Sequence, residues 1–263
     1  LCFAGSDANP QTVWMSKTGA FKNFGYSTPY KDDDAITFSV ASREVHRFRH
    51  LLPLREMLGL TTGGEWEVQG SETGLTARSV QAKIQSYNGS SKLPPIVVDN
   101  AALYVQARGS KVSALQYSFE ADGFAGNDLT KYSPHFFRGH TLVDWAFQQQ
   151  PDSLVWAVRE DGVMLGMTYL PEEQLIAWHQ HVTDGAVESV ACVPEGDEDA
   201  LYMVVNRTIN GATKRYVERM ASRRVTNMED AFFVDCGLTY DGRNSDPAKT
   251  LTLTGGTTWL APE

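Results

Sequence analysis

An all-β fold, with a β-propeller as its preferred form, is what this 263-residue sequence predicts. Three observations carry the expectation. Short apolar runs rich in β-branched and aromatic residues recur along the chain, each followed by a turn containing Gly. Those runs are apolar on both parities, as strands covered on both faces must be. Helical periodicity is scarce, and an apolar fraction of 42% is that of an ordinary globular domain with a core.

The runs follow one another in a regular order. Thr12-Val13-Trp14-Met15-Ser16 precedes a turn at Gly19, and Met57-Leu58-Gly59-Leu60-Thr61 precedes Gly63-Gly64. Leu103-Tyr104-Val105 precedes Gly109, Leu154 to Val158 precedes Asp161-Gly162, and Leu201 to Val205 precedes Asn210-Gly211. With Val13, Leu58, Leu103, Leu154 and Leu201 as anchors, the spacings are 45, 45, 51 and 47 residues. A unit of roughly 47 residues is the size of one four-stranded propeller blade. Residues 1–231 therefore read as about five visible blades of a ring they need not complete. The first anchor is ambiguous, because Leu1-Cys2-Phe3-Ala4 fits the run equally well. Between Ser42 and Leu52 the positions Val45, Phe48 and Leu52 suit a helix face or a strand, and strand is the reading adopted. Residues 232–263 change to a Thr/Gly-rich texture. The alternation Leu251-Thr252-Leu253-Thr254 reads as a half-wetted strand that closes the ring or opens an additional small β domain.

Composition excludes several function classes. No stretch approaches the 18 apolar residues of a membrane span. Lys and Arg number 23 against 32 Asp and Glu, a net charge of −9, which argues against a basic surface gripping nucleic acid over the whole molecule. Such a chain meets DNA as a non-sticky wall. Cys2, Cys192 and Cys236 lie far apart without Cys-x-x-Cys spacing, so they are expected as reduced, packed thiols from a reducing compartment. The chain opens at Leu1 without Met and reads as a piece of something longer.

Few residues suggest chemistry. His179 and His181 share a strand face and could offer a metal two imidazoles, with Glu188 or Asp184 as a third ligand. An exposed strand end explains them better, and no metal or other cofactor is expected. The carboxylates of Asp32-Asp33-Asp34, Glu172-Glu173 and Glu195 to Asp199 fall beside Gly and Pro in expected loops. Nothing in their spacing brings together the pair a glycosidase needs, so no catalytic residue is assigned and no enzyme is expected. Neither a nucleophile elbow nor a phosphate-cradling Gly loop with Lys is present. The one basic cluster contains Arg43, His46, Arg47, Arg49 and His50. Arg43, Arg47, Arg49 and His50 are candidate contacts to DNA phosphates or an acidic partner, against local pairing with Glu44, Glu56 and Asp32 to Asp34. The six Trp residues, at one or two per repeat, read as core between neighbouring blades.

Three stretches resemble a family of virion proteins of tailed bacteriophages and prophages. The first is Val13-Trp14-Met15-Ser16-Lys17-Thr18-Gly19 through Phe24, followed by Asp32-Asp33-Asp34-Ala35-Ile36. The second is Gln85-Ser86-Tyr87-Asn88-Gly89-Ser90-Ser91, leading to Leu103-Tyr104-Val105-Gln106. The third runs from Phe136-Phe137-Arg138-Gly139 through Asp144-Trp145-Ala146 and Gln149-Gln150-Pro151-Asp152-Ser153 to Asp184-Gly185-Ala186-Val187-Glu188. The resemblance implies a β-propeller of the tail-nozzle or packaged-DNA-stabilising kind. Such a subunit is structural, not enzymatic. It forms a homo-oligomeric ring in the virion tail, commonly a hexamer, and is made in the bacterial host's cytoplasm. The partners implied are portal or adaptor proteins, tail fibre or needle proteins, and double-stranded DNA passing without sequence preference during ejection. No membrane partner is implied. The alternative is a carbohydrate- or receptor-binding propeller, adhesin-like or a glycoside hydrolase, with Trp66 and Trp178 as the residues to change.

Overall fold

The structure is a computed structural model and describes residues 1–228, 231 and 234–237, apart from 73 and 121. Within them the chain is all-β, with eighteen strands in five antiparallel sheets. Sheet I holds β1 (Cys2–Ala4), β2 (Thr12–Met15) and β3 (Ile36–Ser39). Sheet II holds β4 (Phe48–Pro53), β5 (Met57–Thr61), β6 (Glu65–Gln69) and β7 (Gln81–Ser86). Sheet III holds β8 (Ile96–Val98), β9 (Ala101–Val105), β10 (Val112–Ser118) and β11 (Gly123–Asp128). Sheet IV holds β12 (Leu142–Gln148), β13 (Leu154–Arg159), β14 (Met164–Leu170) and β15 (Leu175–His181). Sheet V holds β16 (Ala186–Glu195), β17 (Glu198–Ile209) and β18 (Ala212–Arg219). Each sheet is a meander of sequential neighbours. The expected strand around Ser42 to Leu52 forms only from Phe48 onward.

The sheets pack face to face in chain order, and side-chain parity is what couples them. On β13, Val155 and Ala157 join Leu103, Val105 and Trp178 in the core between sheets III and IV. The alternate residues Leu154, Trp156 and Val158 join Leu201, Met203 and Val205 between sheets IV and V. Sheet II divides in the same way. Trp66 and Val68 pack on Val13 and Met15 of sheet I, whereas Leu58 and Leu60 pack on Ala102, Tyr104 and Leu115 of sheet III. Strands apolar on both parities are thus buried on both faces, as their composition requires. Each fully buried Leu or Val contributes about 1.5–3 kcal/mol.

Every connection between sheets leaves from the last strand of one and enters the first strand of the next. An even-numbered meander starts and ends at the same end, so the connections 40–47, 87–95, 129–141 and 182–185 gather at one end of the stack. Their backbone bonds repeat. Each is tied to a hairpin turn of the sheet before it, through Phe48 N–H to Pro10 O, Ser90 N–H to Thr61 O, Leu142 N–H to Gly109 O and Val187 N–H to Gly162 O. The first three also bond the hairpin of the sheet they enter, at Thr62, Ala107 and Glu160. Glycine is required where turn and connection meet. At Gly109 (φ 80°) a Cβ would stand 2.8 Å from the Thr141 side chain, and at Gly162 (φ 83°) 2.5 Å from that of Ala186.

This scheme corrects the repeat at its first copy. The turn after β1 sits against Phe48 as the Gly109 turn sits against Thr141, so Cys2–Ala4, not Thr12–Met15, is the equivalent of β5, β9, β13 and β17. Sheet I accordingly presents the second, third and fourth positions of the unit, and sheet V the first three. The alternating Leu/Thr strand expected in 232–263 lies outside the described residues.

Candidate nucleic-acid interface

The four basic candidates fall into two environments. Arg43 and Arg47 are exposed on the connection into sheet II. Arg47 is anchored there, its guanidinium on Asp7 and its N–H on Thr62 Oγ1 at 3.1 Å. Arg49 and His50 are half-buried within β4. The pairing of β4 with β5 passes from Phe48–Thr61 directly to His50–Leu60, which leaves Arg49 as the extra residue of a β-bulge. Its Nε is buried without a partner among the described residues. His50 Nε2 lies 3.2 Å from the Ser91 carbonyl oxygen, and burial lowers its pKa. The structure therefore brings Arg43 and Arg47 to one solvent face and turns Arg49 and His50 inward. Nor does the cluster pair with Asp32 to Asp34 as one alternative expected. Asp34 is buried instead, held 2.6 Å from Lys17 and accepting the backbone N–H groups of Ser27 and Lys31.

Near the same end lies an open cleft of about 380 Å³, lined by Tyr87, Asn88, Gln106, Arg108, Ser110 and Lys111. It sits where the connection into sheet III crosses the β9–β10 hairpin. On its other side the same connection lies against the β5–β6 hairpin, and Gly89 permits that approach, since a Cβ there would stand 2.3 Å from the Thr62 carbonyl oxygen. From the cleft a polar chain runs inward. Asn88 donates to Ser86 Oγ at 3.1 Å, and Ser86 donates to the carboxylate of Glu65.

Glu65 and Glu67 are the groups that sequence reasoning missed. Both are essentially unexposed, at 0% and 2%, on the face of β6 that meets sheet III. Gln85 serves Glu67 at 2.7 Å and takes the Phe124 N–H across the sheet interface at 2.9 Å. The hydroxyl of the neighbouring Tyr104 interacts with the Glu65 carboxylate across the sheet interface. Burial raises the Glu65 pKa, and the Ser86 hydroxyl pulls it partway back. Burial also raises the Tyr104 pKa, reinforced by the Glu65 charge. The alternation Glu-Trp-Glu-Val reads as a strand wetted on one face, so pattern alone hides this pair.

The imidazole pair behaves differently from either expectation. His179 and His181 stand with ring centroids 5.0 Å apart and pack edge-on against Trp156. They are half-buried rather than an exposed strand end. Gly166 makes room for the His179 ring, whose Nε2 would be 2.2 Å from a Cβ there. Burial, then His179 and Arg223, lowers the His181 pKa to about 4. Of the suggested third ligands, Glu188 is engaged by Arg215 and Asn206. Among the described residues no group of three His, Cys, Asp or Glu is placed to hold a metal ion.

The remaining expectations divide. Trp66, Trp145, Trp156 and Trp178 are core, and Trp14 is half-buried. Glu195 and Glu198 end and begin strands β16 and β17 instead of lying in a loop, Glu195 taking Tyr202 and Arg219, and Glu198 taking Arg219 and Ser222. All three thiols are free, but Cys2 and Cys236 are exposed and only Cys192 is half-packed. Among the described residues no helix is long and apolar enough to cross a membrane. The chain matches none of the family models, and none of the curated proteins, with which it was compared.

Proposed function

We propose that the five sheets are blades of a propeller-type row, and that the chain is a structural subunit of a phage tail nozzle or head–tail connector. In that role it lines or gates the channel through which DNA leaves the virion, as one member of a ring of identical copies beside portal, adaptor and fibre proteins. The observation that carries this reading is the repeated bonding of the inter-sheet connections to hairpin turns, all four to the sheet before and three also to the sheet they enter. Such a lattice makes a stiff wall of like units, which a conduit under load needs. The phage-like phrases of the sequence supply the identity of the conduit. Immunogold labelling of purified tails, viewed by negative stain, tests it. Label ringing the tail below the portal is expected, and label on fibres or capsid walls overturns it.

The carbohydrate-binding alternative keeps one supporting observation, the exposed pair Tyr26 and Tyr30 with ring centroids 5.5 Å apart. Its original anchors, Trp66 and Trp178, are core residues. A glycan array with hits abolished by Tyr26→Ala would favour it over the conduit.

A further inference from the structure

We infer that the connecting end of sheets II to IV is a binding face for the phosphate backbone of duplex DNA. The inference rests on the conduit reading only for the identity of the polyanion; the face itself follows from how the fold sorts charge. Three connections and one hairpin meet there. The connection 40–47 carries Arg43 and Arg47, 87–95 carries Lys92, the hairpin 106–111 carries Arg108 and Lys111, and 129–141 carries Lys131 and Arg138. These four segments hold seven Lys or Arg and one acid, Glu44, in a chain whose net charge is −9. All seven basic residues are exposed.

The segments are one surface because the backbone knits them. Arg47 O accepts from Thr62, Thr61 O from Ser90, Gly89 O from Ala107, and Gly109 O from Leu142. Asp7 holds Arg47, and Asp128 holds Lys111 at 3.0 Å. The other five carry no ion pair among the described residues. Exposed tyrosines lie among them, Tyr87 at 78% and Tyr132 at 85%, the latter beneath the Lys131 ammonium. The acids beside these segments are Asp7 on sheet I, Glu160 and Asp161 on the β13–β14 hairpin of sheet IV, and Asp184 on the connection into sheet V; Thr141 donates to Glu160, and Asp161 is taken by Arg159.

The opposite end has the reverse balance. Its turns and loops through residue 197 hold twelve Asp or Glu against five Lys or Arg. An even scatter of charge would give both ends the molecule's acidic sign. The segregation instead produces a basic strip across three stacked sheets. With sheets about 10 Å apart, that strip is roughly 20 Å long, or about six base pairs of duplex at 3.4 Å each. Flexible Lys and Arg on bonded loops suit backbone phosphates, which fix position without reading sequence. A wall acidic at one end and basic at the other would hold DNA at one level and let it slide past the next.

The test is fluorescence anisotropy of a labelled 30-base-pair duplex of mixed sequence, titrated with this chain at several salt concentrations. Binding that is independent of sequence and weakens steeply with salt is expected. The triple variant Arg43→Glu/Arg108→Glu/Arg138→Glu should weaken binding at least tenfold at low salt. It should also flatten the log–log salt slope by about 2.7, at roughly 0.9 for each phosphate no longer neutralised. The control Lys22→Glu/Lys31→Glu/Arg78→Glu, at the opposite end, should bind as the parent does. No binding at 50 mM salt, a salt-independent affinity, or equal losses from the two triples overturns the inference. So does a charge reversal that leaves DNA binding intact while dissociating a self-assembled species in sedimentation, which would make the acidic end of a second copy the occupant. Circular dichroism of each variant confirms that it folds. Labelling of tails is a separate measurement, so a face that binds DNA on a protein absent from tails would sink the conduit and leave the face standing.

Discussion

Glu65 is the residue whose burial has the clearest thermodynamic consequence. Its pKa is raised in the folded state, so the native chain holds that proton more tightly than the unfolded chain does. Stability from this site is therefore full below the ordinary carboxylate pKa and falls as pH rises through the folded value. Glu65→Gln keeps the Ser86 contact and removes the charge, so unfolding in urea should show a stability gain that widens from pH 4 toward pH 8. His181 works in the opposite sense. Burial holds its pKa at about 4 against an ordinary 6.5, so the unfolded chain takes up the proton first as pH falls. His181→Gln should flatten the loss of melting temperature between about pH 6.5 and 4. An unchanged slope in that window would mean that the imidazole is solvated. Neither burial announces itself in the sequence. Glu65 sits in an alternating pattern, and His181 follows the polar Gln180 at a strand end.

At the scale of the element, the turn glycines set how tightly one sheet can follow the next. Gly162 combines a left-handed φ of 83° with a Cβ position 2.5 Å from the Ala186 side chain. Gly162→Ala must absorb the backbone strain and push the connection into sheet V outward, a loss of about 1–3 kcal/mol read from the denaturant midpoint. Gly211 has a similar φ of 74° with nothing near its Cβ, so Gly211→Ala should cost less, the strain alone. Asp-Gly and Asn-Gly both mark tight hairpins in the sequence, and both form. Which of the two also seats the next sheet was not legible, because the contact lies between residues 24 apart. The place of the first repeat is hidden in the sequence for the same kind of reason. β1 is three residues long, and only its turn against Phe48 reveals its place in the unit.

For the whole molecule, the serial stack makes each inner sheet answerable to two neighbours. Leu58 closes the interface of sheets II and III, and Leu165 that of sheets III and IV, both at 0% exposure. Leu58→Ala and Leu165→Ala should each cost about 2–5 kcal/mol in equilibrium unfolding. Phe3 on sheet I is 53% exposed, and Phe3→Ala should stay within about 1 kcal/mol. Comparable losses at all three would mean that sheet I has a further neighbour covering Phe3.

The class of fold was written in local chemistry. Oily runs on both parities, Gly turns and a spacing near 47 residues dictate two-faced strands in repeating hairpins, and those depend only on near neighbours in the chain. Buried tryptophans followed from the same pattern. Tertiary structure decided what no short window contains. It placed Arg43 and Arg47 outward while turning Arg49 inward through a one-residue bulge. It enclosed Glu65 and Glu67 under a facing sheet, and it gathered distant loops into a basic end on an acidic chain. The physical reason is range: strand formation is settled by torsional preference and alternation, whereas charge and burial at a site depend on which remote segments the stacking brings alongside.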